Sequence, residues 1–539
     1  MSSLTQNDSA PAAGSTYDET PYPSAAFPQT HPHKLAAMGQ LFGVAVVAPS
    51  EARVLELGCA DGANLLPMAQ HAPHARFVGI DASAKQVAAA QLAIAGAGLT
   101  NVEIRHQNIL DFPAAEGKFD YIIVHGIYSW VPEPVREKIL AICREHLSEN
   151  GIAFVSYNAF PGWGMRMALR DMMLIHTKSI ADPKIKVAQA RALTAFLVDS
   201  IPTENNPYGM LLKQELERMK HYSDNYLRHD ILEEDNQPFY FHEFVRRAGR
   251  ADLQYLGETG LDQMLASSFP PKVQETLAKV GNNIVAKEQY MDFLRNRNFR
   301  QTLLMNREVT LNRQISPAVL KKFYFTSALE WPGTAPLDLA PGVSQAFGVR
   351  KSTARLNVKD SFPKAVFEAL TGCAFKRISF DEISQVAHAR SEPFNQEPDA
   401  ARRAAGEESM LIRDLMQLYS RGLVDIFAER PAISISVPNK PTVTPLARFQ
   451  ALNARQVTSR VQQSIDFDPA ARYIIAACDG QNDRDGIVES LVQATRDGKL
   501  RAVEMDKTPI VDQAKLRTVV AERVDAALSR IAAFGFFAE

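Results

Sequence analysis

Between residues 51 and 157, short runs of β-branched and aromatic residues alternate with stretches of helical period. The runs ARVLEL (52–57), ARFVGI (75–80), VEIRH (102–106), FDYIIV (119–124) and IAFVSY (152–157) read as strands. Helices fit the intervals near 63–71, 83–95 and 134–148, and an earlier one runs from Leu35 to Val47. Apolar strands separated by helices predict a parallel sheet covered on both faces. Gly151 is expected to end the third of these helices before the next strand begins. Helical text from MRMALRDMMLIHTK to GMLLKQELERMK then occupies 162–240. Strand-like LQYLGE (253–258), one long helix at 271–295 and RQTLLMN (300–306) follow. The predicted fold is α/β: a Rossmann-like, seven-stranded, doubly wound domain over 35–312, with a helical insertion between the fifth and sixth strands.

Two further modules are expected. Residues 313–440 hold helices near 363–370, 380–388 and 407–422, then VDIFAERPAISISV (424–437), which reads as a hairpin. Three helices and a hairpin suggest a winged-helix-like α+β module. A proline-rich linker, PNKPTVTP (438–445), leads into a helical end over 441–539. At the other end, residues 1–16 are small and polar, and 17–34 set prolines between aromatics, which favours an extended strap laid over a surface.

Composition narrows the function. The 539 residues carry a net charge of −2, so no overall field draws the chain to nucleic acid or anionic membrane. The suspected winged helix raises a DNA-binding regulator as a competing class. Residues 359–440, however, hold 11 Lys and Arg against 12 Asp and Glu, with no basic excess. Four dispersed cysteines match neither a zinc site nor a disulfide framework. The N-terminus lacks the pattern of a signal peptide, and no apolar run has the length of a membrane span. The expectation is a cytoplasmic protein that needs no metal.

The chemistry begins at VLELGCADGAN (54–64), between a strand and a helix. Gly58 and Gly62 clear space for a ligand at the backbone, and the helix start offers free N–H groups. A dinucleotide site would carry G-x-G-x-x-G, but Ala60 and Ala63 stand at the later glycine positions. The acidic Glu56 would repel a pyrophosphate and suits the ammonium of a methionine moiety. Asp61 belongs to the same loop. Asp81, 23 residues after Gly58 and beside Ala82, ends the next strand, where a carboxylate accepts from both ribose hydroxyls. At the third strand's end Asn108 can bond an adenine amino group while Ile109 packs on the ring. Together these elements resemble class I methyltransferases, and the cofactor implied is S-adenosylmethionine.

The acceptor side carries IIVHGIYSWVPEP (122–134) and SYNAFPGWGMR (156–166). The Pro-Pro-aromatic motif of amino-directed methyltransferases is absent; His125, Tyr128 and Trp130 stand in its place. Tyr157, Asn158, Phe160 and Trp163 follow the fifth strand, and such aromatic walls attract cations. Tyr128, His125 and Tyr157 are the candidates to orient or deprotonate an acceptor, and Tyr128, Trp130, Asn158, Phe160 and Trp163 to bind it. HYSDNYLRHDILEEDNQPFYFHEF (221–244) reads as a lid whose acids, Glu233 and Glu234 among them, could recognise a basic peptide.

HGIYSWVP (125–132), YNAFPGW (157–163), YDETPYPSAAFPQTHPHKLA (17–36) and LEEDNQPFYFHEF (232–244) are similar to signatures of a bacterial methyltransferase group with an appended methyltransferase regulatory domain. That group includes protein-lysine methyltransferases of outer-membrane surface proteins. The resemblance implies middle and C-terminal domains around an open cavity, a regulatory or lid segment over 221–310, and a homodimer. It also implies that 1–34 folds over the cofactor, with Tyr17, Tyr22 and His31, besides His125, as contacts. Transfer to a protein lysine is the leading expectation. The alternatives are a small-molecule N- or O-methyltransferase and an S-adenosylmethionine-binding regulator of DNA.

Overall fold

The computed structural model describes residues 24–224, 227–233, 235–280, 283–373, 375–395, 397–501, 510 and 512–538. Strands β1 (Arg53–Leu57), β2 (Arg76–Asp81), β3 (Val102–His106), β4 (Phe119–Val124), β5 (Leu147–Asn158), β6 (Leu253–Glu258) and β7 (Phe299–Asn306) form one seven-stranded sheet. Their order is β3-β2-β1-β4-β5-β7-β6. The first five pair in parallel, and β7 runs antiparallel between β5 and β6. Because β7 is reversed, its first residues lie at the edge where the parallel strands end.

Strand alternation divides the core. Val54, Phe77, Tyr121, Ile123 and Phe154 face one side, with helix α1 (Pro32–Leu41) and helix α2 (Leu65–His71). Leu55, Val78, Ile122, Val124, Val155 and Tyr157 face the other, under α4 (Glu133–His146) and α8 (Phe241–Arg250). Helix α3 (Ala84–Ala97) starts beside the end of β2, capped by Ser83. The insertion forms α5 (Gly164–Thr177), α6 (Pro183–Ser200) and α7 (Pro207–Lys220), packed around their own apolar cluster with Trp163.

Several local expectations change. Gly151 does not end a helix: α4 stops at His146 and Gly151 lies inside β5. There a Cβ would come within 3.0 Å of the Phe119 carbonyl oxygen. The stretch expected as one helix at 271–295 is two, Pro271–Val280 and Ile284–Arg295.

The hairpin expected at 424–437 is not formed. Strands β9 (Leu329–Glu330), β10 (Gln345–Val349) and β11 (Arg355–Val358) form a small sheet, and strand β13 (Val424–Phe427) pairs antiparallel with β8 (Tyr324–Ser327), in a three-stranded sheet completed by β12 (Ile378–Ser379). Pro431, in the stretch that would turn and return as the second strand, offers no N–H to a ladder. The residues after 312 also share a continuous core with α1 and the sheet: Phe325, Phe367, Leu415 and Ile426 join Leu35, Met38 and Phe154. The expected purely helical end contains a hairpin, β14 (Gln456–Thr458) with β15 (Ser464–Asp466), among helices at 445–453, 469–477, 484–496 and 513–533.

Candidate functional site

The turn after β1 takes left-handed backbone at Gly58 (φ 70°), Ala60 (φ 49°) and Gly62 (φ 76°). A Cβ on Gly58 would meet Ile127 at 2.9 Å, and one on Gly62 would meet Ile104 at 2.6 Å. Asp81 ties this turn to β2. Its Oδ2 accepts from the Ala60 N–H and its Oδ1 from the Ser83 N–H, both over 2.8 Å.

Glu56, on β1, is buried beneath the turn. Its Oε1 accepts from Asn64 Nδ2 at 2.8 Å, and its buried Oε2 has no hydrogen-bond partner among the described residues. Burial pushes this carboxyl up to about 8, against the Asn64 bond, and the Asp81 charge adds to the rise. An orphaned, buried acceptor costs free energy until a donor meets it. The free acceptor therefore fits an amino-acid ammonium, beside backbone that glycine leaves open.

A cavity of about 550 Å³ runs from this turn across the carboxyl ends of the strands. One end is lined by Asp81, Ala82, Asn108 and Ile109. Asn108 Oδ1 also accepts from the Leu110 N–H at 2.9 Å, which holds the side chain in place. The middle is lined by Glu56, Gly58 and Asn64, with Phe27 as a roof. Phe27 sits edge-on to His125 at 4.2 Å. The far end holds His125, Trp130, Asn158, Trp163, Arg166 and Phe299. The two indoles meet edge to face at 6.0 Å, and the Arg166 guanidinium lies 5.6 Å from the Trp163 ring. His125 Nδ1 lies 2.9 Å from Ser156 Oγ, which accepts from the Gly126 N–H. Burial drives the His125 imidazole down to about 4, so it is neutral at physiological pH.

Of the residues singled out from sequence, Glu56, Gly58, Asp81, Ala82, Asn108, Ile109, His125, Trp130, Asn158 and Trp163 meet at this cavity. Tyr128 and Tyr157 do not. Both are buried against Phe239 and Phe244 in the core under α4 and α8. Period two explains Tyr157: Ser156 and Asn158 face the cavity side of β5, so the residue between them faces away. The Tyr128 hydroxyl has no hydrogen-bond partner among the described residues, and burial raises both phenols further from any role as base.

His31 is also displaced. It caps α1 by accepting from the His33 N–H and packs on the His33 ring at 4.1 Å. Asp61 turns back to accept from the Ala63 N–H at 3.1 Å, and Gly62 supports the turn from behind. Phe160 packs 5.2 Å from Tyr240, away from the cavity. Glu233 does not line it either; its carbonyl accepts from Arg170. Tyr17, Tyr22 and Glu234 lie outside the described residues.

Sequence reasoning missed Asn64, Phe27, Arg166, Asn298 and Phe299. Phe299 pairs with Asn158 across the β5–β7 ladder, so the last strand brings it to the site. Only the reversed direction of that strand signals this. Asn64 is legible in hindsight as the residue opening the helix after the glycine turn.

A parallel sheet with a reversed β7, a glycine turn over a buried glutamate and an aspartate ending β2 define a class I, S-adenosylmethionine-dependent methyltransferase. Residues 54–151 match a Methyltransferase domain, 223–306 a Predicted methyltransferase regulatory domain and 439–536 a PKMT, C-terminal winged helix domain. A winged helix thus matches the C-terminal region, where the sequence pattern suggested only helices.

The structure of PKMT2 from Rickettsia typhi in complex with AdoHcy matches with a TM-score of 0.85 and 31% identity, covering 96% of this chain and 99% of that one. The uncharacterized Rickettsia prowazekii protein RP789 is 36% identical over 507 residues, 93% of this chain and 90% of its own. A trans-aconitate 2-methyltransferase of Deinococcus radiodurans is 34% identical over 109 residues, 20% of this chain and 38% of that protein. The chain belongs to the methyltransferase family of Rickettsia typhi PKMT2.

Proposed function

We propose that this methyltransferase modifies a lysine side chain of a protein. The observation that carries the reading is end-to-end likeness, winged helix included, to the protein-lysine methyltransferase PKMT2. The aromatic far end of the cavity supports it, since indole faces attract an alkylammonium.

S-adenosylmethionine supplies an activated methyl group on a sulfonium, a good leaving group. In this reading Glu56 accepts from the ammonium of the methionine moiety, Asp81 holds the ribose hydroxyls, and Asn108 and Ile109 hold the adenine. A lysine ammonium has no lone pair, and its unperturbed pKa is about 10.4. Trp130, Trp163, Val131 and Phe299 exclude water around an entering side chain, which favours its neutral form. His125, already neutral, orients the amine as a weak acceptor and is no strong base. Positioning then supplies much of the acceleration.

We also infer a homodimer working in the cytoplasm. The insertion exposes Ile175 (77%), Phe196 (63%) and Met210 (59%), which suits burial against a second copy. Among the described residues no helix is long and apolar enough to cross a membrane. Our division into a strap (1–34), a catalytic domain (35–312), a middle domain (313–440) and a C-terminal domain (441–539) belongs to the same reading.

Radiolabelled methyl transfer into fractionated lysate, followed by identification of the labelled residue, tests the acceptor. Label on lysine is expected. Label confined to small molecules would favour a metabolite methyltransferase and end the protein reading.

A further inference from the structure

The C-terminal domain reaches the cofactor turn by a hydrogen-bonding side chain, Gln462. Gln462 lies in the turn between β14 and β15, which is closed by Ser459 N–H to Gln463 O at 2.9 Å and Gln462 N–H to Ser459 O at 3.1 Å. Its Nε2 donates to the backbone oxygen of Asn64 at 2.6 Å and stands 3.2 Å from Asn64 Oδ1. The residue is 2% exposed and adopts φ 62°. A side chain in that conformation costs about 1 kcal/mol relative to glycine. A buried glutamine thus stands where glycine would form the turn more cheaply.

Asn64 is the hub it meets. The Phe27 N–H donates to Asn64 Oδ1 at 2.9 Å, and a backbone N–H can only donate. The amide oxygen must therefore face Phe27 and Gln462, which leaves Nδ2 facing Glu56 at 2.8 Å and Thr30 Oγ1 at 3.0 Å. The same hairpin accepts from the Ala26 N–H through Ser464 Oγ at 2.9 Å. Leu446 anchors this domain in a cluster with Cys59, Leu66 and Ile104.

We propose that Gln462 is a positioning residue of the cofactor site: by holding Asn64 it fixes the amide that orients Glu56 toward the ligand's ammonium. Docking of the C-terminal domain and binding of the amino-acid end of the cofactor are then coupled, each strengthening the other. The proposal rests on the reading of Glu56 given above.

Calorimetry on the full-length protein with two ligands tests it. S-adenosylhomocysteine carries the amino-acid tail, and 5′-methylthioadenosine lacks it. Gln462→Met keeps the volume and removes the donor. It should weaken S-adenosylhomocysteine about tenfold and leave 5′-methylthioadenosine unchanged. A purely structural role would weaken both alike, and that outcome, or no loss for either, overturns the proposal. Glu56→Gln in the same assay should lose the same selectivity; if it does not, the Glu56 reading itself fails. Loss in Glu56→Gln without loss in Gln462→Met overturns the role of Gln462 alone. In the unaltered protein, S-adenosylhomocysteine should slow amide exchange in the 459–463 turn. Unchanged exchange there refutes the coupling even if Gln462→Met does not fold.

Discussion

Asn64 Nδ2 donates to Glu56 Oε1 across 2.8 Å, between two residues that are each only 4% exposed. The bond stabilises the carboxylate, yet burial outweighs it and holds the carboxyl at about 8. Asp81 and the Cys59 thiol are the titratable neighbours on the adjoining elements, and the negative charge of Asp81 acts in the same direction as burial. A carboxyl raised this way costs folded-state stability as pH climbs from its usual 4.5 towards 8, and a bound ammonium offsets that cost. Below pH 8 the free protein holds a proton there that an ammonium must displace. Affinity for S-adenosylhomocysteine should fall as pH drops below that point, by up to about tenfold per unit, with proton release on binding. Calorimetry in buffers of different ionisation heat reads both effects, and Glu56→Gln should remove them.

Asp81→Ala removes the acceptor for two backbone N–H groups as well as the proposed ribose contact. Hydrogen bonds to a charged group are worth about 1.5–3 kcal/mol each. The expected loss of S-adenosylhomocysteine affinity is about 30-fold or more. Unchanged affinity in titration calorimetry would show the ribose assignment to be wrong.

Tyr128→Phe discards only a buried hydroxyl that has no hydrogen-bond partner among the described residues. Melting temperature and turnover should both stay close to those of the parent protein. Trp130→Ala removes a cavity wall and should slow labelled methyl transfer about tenfold without abolishing it. A large loss in Tyr128→Phe would return that phenol to the catalytic machinery.

Arg300→Met probes the support behind Phe299. The Arg300 guanidinium, fully buried, bonds Glu258 and Asp292 at 2.8 Å and Glu288 at 3.1 Å. Burial lifts Glu288 to about 7, so it ionises only partly, while the arginines hold Glu258 below its usual range despite burial. Removing one guanidinium leaves buried charge uncompensated, and the expected destabilisation is about 3–5 kcal/mol. Thermal unfolding checks it; a shift of only a degree or two would mean that the carboxylates neutralise by protonation.

The cofactor half of the site was legible because its determinants are local. Gly58, Glu56 and Asp81 sit at strand ends whose positions follow from periodicity, and the β1 turn that exposes them is a few residues long. The acceptor half was less legible. Two adjacent residues on one strand end look equivalent as text, whereas the pleat sends Asn158 into the cavity and Tyr157 into the core. Phe299 reaches the site only because β7 is reversed, and strand direction leaves no mark on a short apolar run.

By its own pattern, then, the chain determined which segments become strands, where the sheet opens for a ligand, and that the ligand lacks a pyrophosphate. Those are properties of near neighbours, set by backbone geometry and side-chain alternation. Tertiary structure alone decided that β13 would pair with β8, that Asn64 would be shared by Phe27, Glu56 and Gln462, and that the C-terminal hairpin would rest on the cofactor turn. The longest of these contacts joins residues 398 positions apart. They form because packing buries apolar surface shared between domains, and no short stretch of sequence encodes that.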